Sequence, residues 1–249
     1  MARGQTSDIG PVPVCALDYP AALDLVATML DREGERNVAF CNAHTVNLAR
    51  RDARFRAALQ GMTVLNDGVG LDLARRVLHG APFPANLNGT DFTPAVLEAA
   101  PRPLRLFLLG SPPGVAERAA DALSARFPRH QVVGVRDGFF PPTEGAAVAR
   151  TIAATGADLL LVGMGQPRQE LWAAEHGAAT RAVVMCVGAY LDFAAGAVIR
   201  APGWMRALRI EWTYRLAQEP RRLAARYLLG NPRFVCGILS DRFRRGGKK

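Results

Sequence analysis

The chain has no lysine before Lys248, no Asp-x-Asp, no Gly-x-Gly-x-x-Gly and no Cys-x-x-Cys. Each absence excludes a class. Without a lysine-bearing glycine loop there is no Walker-type phosphate cradle, and without the glycine fingerprint no ordinary dinucleotide site. Cys15, Cys41, Cys186 and Cys236 are scattered, three of them in apolar runs, so they read as small buried hydrophobes in a reducing compartment. His44, His79, His130 and His176 lack the spacing of metal ligands, and no metal is expected. Residues 182–191 form the longest apolar run, about half the roughly 20 residues that span a bilayer. Residues 1–11 show no positive region followed by an apolar run, so no secretory signal is expected. These exclusions predict a cytoplasmic chain whose contact with a membrane, if any, is peripheral.

What the chain does have is charge in one place. Residues 200–249 carry 13 Arg and Lys against three acids, a net +10, which leaves residues 1–199 at −1. The same segment holds Trp204, Trp212, Tyr214, Tyr227 and Phe234. Arginine interleaved with Trp and Tyr suits an anionic membrane surface, where rings sit at headgroup level and guanidinium groups meet phosphates. Nucleic acid, on whose bases the rings would stack, and an ordinary solvated helical face are the alternatives. The predominance of Arg over Lys reads as genome composition, with no functional meaning.

Half of the residues are apolar and a fifth charged, as in a globular chain. Short aliphatic runs at 12–17, 37–41, 63–65, 104–109, 131–135, 158–162 and 182–187 alternate with helical patterns. The helices are expected at 20–32, 45–59, 70–79, 93–99, 114–127, 144–155 and 167–176. Continuously apolar strands alternating with helices predict an α/β fold, a parallel sheet with helices on both faces. Ligands of such a sheet bind at the carboxyl ends of its strands. Beyond residue 196 the pattern turns helical, with breaks expected at Pro220 and at Asn231–Pro232. The division therefore falls near residue 198: a sheet-bearing core over 1–198 and a basic helical appendage over 199–249.

Four turns follow strands and carry polar or glycine residues. In Asn42-Ala-His-Thr-Val-Asn47, Thr45 can cap a helix and Asn47 sits in its first turn. In Asn66-Asp67-Gly68-Val69-Gly70, Asp67 leaves an apolar strand ahead of two glycines, where a carboxylate can take a proton from a hydroxyl. Gly110-Ser111-Pro-Pro-Gly114 leads into a helix N-terminus, a weak anion cradle. Gly163-Met-Gly165-Gln-Pro-Arg-Gln169-Glu-Leu-Trp172 crowds polar groups where a structural turn needs one cap. With no carboxylate pair for an ion, the charge of a diphosphate would be met by arginine or by helix N-termini. Arg215, Arg222 and Arg226, seven and four apart, would share one face of a continuous helix.

At these blocks the sequence resembles the bacterial WecG/TagA/CpsF family of glycosyltransferases. The resemblance covers roughly residues 37–234 and includes Gly89-Thr-Asp91, Gly188-Ala-Tyr-Leu-Asp192-Phe193 and Arg200-Ala-Pro-Gly-Trp204. It implies a Rossmann-like core that binds a UDP-sugar without metal or other cofactor and inverts the anomeric carbon. The acceptor it implies is a sugar on an undecaprenyl diphosphate lipid at the inner membrane face, with no nucleic acid partner and a homo-oligomer left open. By position, Asp67 would be the general base. Thr45, Asn47 and Gln169 would position substrates, and Asp192 would lie near the nucleotide. The basic segment would bring arginines to the diphosphate. Where family members often carry Arg before the Gly-Thr-Asp block, this chain has Asn86. N-acetylmannosamine, its uronic acid and a neutral hexose remain open as the donor sugar. A nucleotide-cofactor oxidoreductase and a non-catalytic nucleic-acid-binding module are the rival readings.

Overall fold

A computed structural model describes residues 6–31, 36–207 and 210–246. The chain opens with a two-stranded antiparallel hairpin, β1 (Thr6–Ile9) and β2 (Val12–Cys15). The run at 12–17 thus pairs with a strand that the sequence pattern did not reveal, and it stays outside the main sheet. Helix α1 (Tyr19–Asp31) follows, then β3 (Asn37–Cys41), α2 (Ala43–Arg51), α3 (Ala53–Gln60), β4 (Thr63–Asn66), α4 (Val69–His79) and α5 (Gly89–Ala99). The second half runs β5 (Arg105–Gly110), α6 (Val115–Arg126), β6 (Gln131–Arg136), α7 (Gly145–Ala154), β7 (Leu159–Gly163), α8 (Arg168–Thr180), β8 (Val183–Cys186) and α9 (Tyr190–Ala194).

The six strands β3 to β8 form one parallel sheet in the order β4-β3-β8-β7-β5-β6. Its strands are apolar on both sides because both faces are covered. Val38 and Phe40 of β3 point into one cluster and Ala39 and Cys41 into the other; Leu159 and Leu161 of β7 alternate with Leu160 and Val162 in the same way. Period-two side chains make each strand a member of two cores. The expected α/β sheet, Rossmann-like with helices on both faces, is therefore what the chain adopts.

One expected helix divides. Over 45–59 the chain breaks at Asp52, whose backbone N–H closes α2 on Leu48 and whose carboxylate accepts from the N–H groups of Arg54 and Phe55 to open α3. An aspartate that caps both ways makes a corner where periodicity alone reads a single helix.

Beyond the sheet lie α10 (Gly203–Ala207), α11 (Glu211–Gln218), α12 (Pro220–Ala224), a π-helical turn at Ala225–Leu229 and α13 (Gly230–Gly246). Pro220 breaks the helix as expected. The break expected at Asn231–Pro232 does not occur: the π-helical turn at Ala225–Leu229 runs directly into α13, and the chain stays helical across both residues. Helix α13 packs on α2 and α4. Phe234 and Ile238, each 4% exposed, join the same apolar cluster as Val46, Leu71 and Ala74. The Asn47 amide donates to the carbonyl of Gly230 at 2.8 Å, and Arg50 pairs with Asp241. No helix among the described residues is long and apolar enough to cross a membrane.

Candidate active site

The turns after β3 and β4 meet in one constellation. Asn42 is the N-cap of α2: its Oδ1 accepts from the N–H groups of His44 and Thr45, while Thr45 Oγ1 accepts from the Asn42 N–H. Thr45, expected as the cap, is the reciprocal third-residue partner of that capping box. The remaining end of the Asn42 amide, Nδ2, donates to Asp67 Oδ2 at 3.3 Å. Asp67 is also held through its backbone, its N–H bonded to the carbonyl of Cys41 at 2.7 Å. The next residue, Gly68, has φ +93° and donates its N–H to Asn86 Oδ1 at 2.8 Å. The Asn86 side chain is therefore tied to the turn that presents Asp67.

This carboxylate opens into a cleft of about 620 Å³. The opposite wall comes from the C-terminal helices: Arg215 lies over the Phe193 ring at 5.4 Å, Trp212 packs on Tyr227 at 5.6 Å, and Arg226 reaches Asn42 Oδ1 at 3.5 Å. The surrounding walls bury Asp67 and raise its pKa, an effect only partly opposed by the Asn42 hydrogen bond and the charges of Arg226 and Arg215. The cleft-lining His44 is driven the other way, to about 4, by burial and by Arg226, so it is neutral near pH 7. Arg200 braces the rim, bonding Asp91 at 2.7 Å and approaching Glu211 at 3.5 Å.

A second group forms where β5, β7 and β8 end. A Cβ on Gly110 would lie 2.4 Å from the carbonyl carbon of Gly163, and one on Gly163 would lie 2.8 Å from the Gly188 oxygen. Ser111 adopts φ +57°, uncommon for a residue with a side chain. It is held there by its N–H on Gly163 O, its carbonyl under the Gly138 N–H, and its Oγ on Asp192 Oδ1 at 2.8 Å. Gln169, 2% exposed, is saturated: its oxygen accepts from the N–H groups of Gly165 and Gly188, and its amide donates to Glu170 Oε1 and Cys186 O. Thr45 Oγ1, 3.0 Å from Gln166 Oε1, links the two groups.

Of the residues singled out from sequence, Asp67, Arg215 and Arg226 thus line the cleft together. Gly110, Ser111, Gly165 and Asp192 gather at the other strand ends, whereas Thr45, Asn47 and Gln169 are buried supports. The side chain of Arg222 lies outside the described residues. Sequence reasoning overlooked Asn42 and gave Asn86 no partner. The signal for the first was available, since an Asn between an apolar strand and a helical run is a favoured N-cap. Nothing in the sequence announced that Asn86 would reach Gly68. Among the described residues no group of three or more His, Cys, Asp or Glu could hold a metal ion.

Glu170 lies beneath both groups, completely buried, and burial raises its pKa to about 7. From pH about 4.5 to 7 the unfolded chain releases this proton while the folded chain keeps it, so stability falls as pH rises through that window. Glu170→Gln removes the ionisation, and its amide oxygen can still accept from Gln169. At pH 8 the variant is expected to be more stable than the wild type by about 3 kcal/mol, and at pH 4 the difference should vanish. Urea unfolding at the two pH values checks this.

A parallel sheet with a partly buried carboxylate and two arginines facing one cleft at its carboxyl edge suits transfer between polar, anionic substrates. Comparison with known sequences identifies the class as glycosyltransferase. The sequence pattern of the glycosyl transferase WecG/TagA/CpsF family matches residues 7–248, and the chain belongs to that family. It is similar to an N-acetylglucosaminyldiphosphoundecaprenol N-acetyl-beta-D-mannosaminyltransferase of Bacillus spizizenii (strain ATCC 23059 / NRRL B-14472 / W23). The two are 28% identical over 218 residues, 86% of this chain and 83% of that protein. It is also similar to a protein of the same name from Bacillus subtilis (strain 168), 26% identical over 241 residues, 95% of this chain and 92% of the other. The oxidoreductase and non-catalytic readings fall with this assignment.

Proposed function

We propose that the protein transfers a hexosyl or N-acetylhexosaminyl group, with inversion, from a UDP-sugar to a sugar carried on a polyprenyl diphosphate, at the inner surface of the membrane. The names of the two Bacillus relatives support the lipid-linked acceptor. The observation that carries the reading is Asp67, a carboxylate of raised pKa fixed by Asn42 on the wall of a cleft that also holds Arg215 and Arg226. In the reaction the acceptor hydroxyl oxygen attacks the anomeric carbon as the bond to the diphosphate breaks. The hydroxyl proton passes to Asp67 and the electron pair leaves with UDP. Arginine is suited to hold phosphate because its fork of donors binds oxygens in pairs.

The strand-end group supports a place for the donor. Gly165 has open space where a side chain would stand, and the helix N-terminus after Gly114 offers N–H groups to an anion. Asp192 and Ser111 already hold one another there. The experiment is to incubate the full chain with a panel of UDP-sugars and an N-acetylglucosaminyl diphosphate lipid, following UDP release and product mass. One donor is expected to be consumed only when acceptor is present, and turnover should persist in excess EDTA. Activity that vanishes with chelator and returns with Mg²⁺ or Mn²⁺ would overturn the metal-free reading.

A further inference from the structure

The cleft is polar at one end only. From Asp67 it continues between α4 and α13, and there its walls are Leu73, Val77, Val235 and Leu239. These side chains are 57%, 39%, 52% and 46% exposed, apolar surface left open on helices whose other faces are packed. The spacing is regular. Val69, Leu73 and Val77 lie four apart along α4; Val235, Leu239 and Phe243 lie four apart along α13. Residues four apart share a helix face, so two apolar stripes run side by side, each about 12 Å long at 1.5 Å per residue. Solvent-facing helix positions are ordinarily polar, and a contiguous apolar patch marks a binding surface.

We propose that this groove holds the first isoprene units of the acceptor's lipid, a hydrocarbon tail joined to a diphosphate. The proposal rests on the function given above and adds a subsite to it. Two features choose this occupant. The groove is continuous with the catalytic cleft, so its ligand must be one molecule with an apolar part and a polar, reacting part. The same cleft holds Arg215 and Arg226, whose charges reach Asp67 and are suited to phosphate. A hydrocarbon tail on a diphosphate meets both demands with one molecule. The tail would thus be read by the protein before it enters the bilayer, and the groove would select lipid-linked sugars over free nucleotide sugars as acceptors.

Trp212 lines the same cleft and supplies a reporter that does not depend on sugar transfer. Full-length protein is titrated with farnesyl diphosphate and with inorganic diphosphate, in the absence of vesicles, following tryptophan fluorescence. Farnesyl diphosphate is expected to bind at least tenfold more tightly, because apolar surface leaves water on both partners. The double substitution Leu73→Gln with Leu239→Gln should abolish that preference and leave inorganic diphosphate binding unchanged. Both positions are exposed, so the fold should be retained, and an unchanged melting temperature verifies it. Equal affinity of wild type for the two ligands, or a preference that survives the double substitution, would overturn the groove. So would a double variant that loses only its binding to phosphatidylglycerol vesicles, since the stripes would then be dipping into the bilayer. If the farnesyl preference holds but no sugar is transferred to any lipid-linked acceptor, the groove stands and the proposed reaction fails.

Discussion

Asp67→Asn is expected to lower sugar transfer roughly 10²–10⁴-fold, the usual contribution of a general base, without lowering the melting temperature. The amide keeps the shape of the side chain and its oxygen can still accept from Asn42, but it cannot take the acceptor proton. The stability half of the expectation comes from the direction of the pKa shift. Burial makes the ionised carboxylate costlier in the folded chain than in the unfolded one. Above the ordinary carboxylate range, about pH 4, that cost weighs on the wild type, and the amide removes it. The variant should therefore melt at the same temperature or higher at neutral pH, with the gain disappearing in acid. Wild-type turnover should fall as pH drops through the raised pKa, because the base fills with a proton. Initial rates of UDP release, paired with thermal melts, measure both halves. Near-normal turnover in the variant would remove Asp67 from the role; a melting temperature well below wild type would mean the carboxylate is a structural support.

Removal of residues 230–249 is expected to leave a chain that no longer unfolds cooperatively. The end of the strand–helix alternation after residue 196 drew a boundary near residue 198, and α13 lies beyond it. Its apolar side chains tell of a different attachment. Truncating a buried Phe typically costs about 3–5 kcal/mol and a buried Ile about 2–5 kcal/mol, against a total stability of about 5–15 kcal/mol for a domain. Phe234 and Ile238 both lie in the cluster under one face of the sheet, and Asn47 would lose the carbonyl of Gly230. Urea unfolding followed by near-ultraviolet circular dichroism should show a broad, early transition for the shortened chain. A sharp transition near the full-length midpoint would instead make residues 230–249 a removable part of the appendage.

The sheet was legible because its strands are apolar on both faces and short, so β3 to β8 stand out at their true places. The hairpin strand Thr6–Ile9 did not, since alternating exposed and buried residues over four positions resemble any loop. The place of Asp67 could be read, because a carboxylate that ends an apolar strand ahead of glycines falls at the sheet's carboxyl edge, and the structure sets it on the cleft wall. Asn47 and Gln169 looked equally suited to a substrate, yet their hydrogen bonds go to Gly230 and to the strand-end turns. A polar residue beside a site and one inside it have the same sequence signature. Only the direction of the side chain separates them. The core contacts of Phe234 and Ile238 in α13 were not legible, because the segment was read for its charge and its rings.

At Gly110 and Gly163 the strand ends touch backbone to backbone, with no space for even a methyl group. Selection therefore has almost nothing to work with at the centre of the sheet's carboxyl edge: any side chain there pushes two strands apart. Side chains that reach the site therefore come from around that fixed centre, from positions such as Asn86 and from the walls built by α4 and α13.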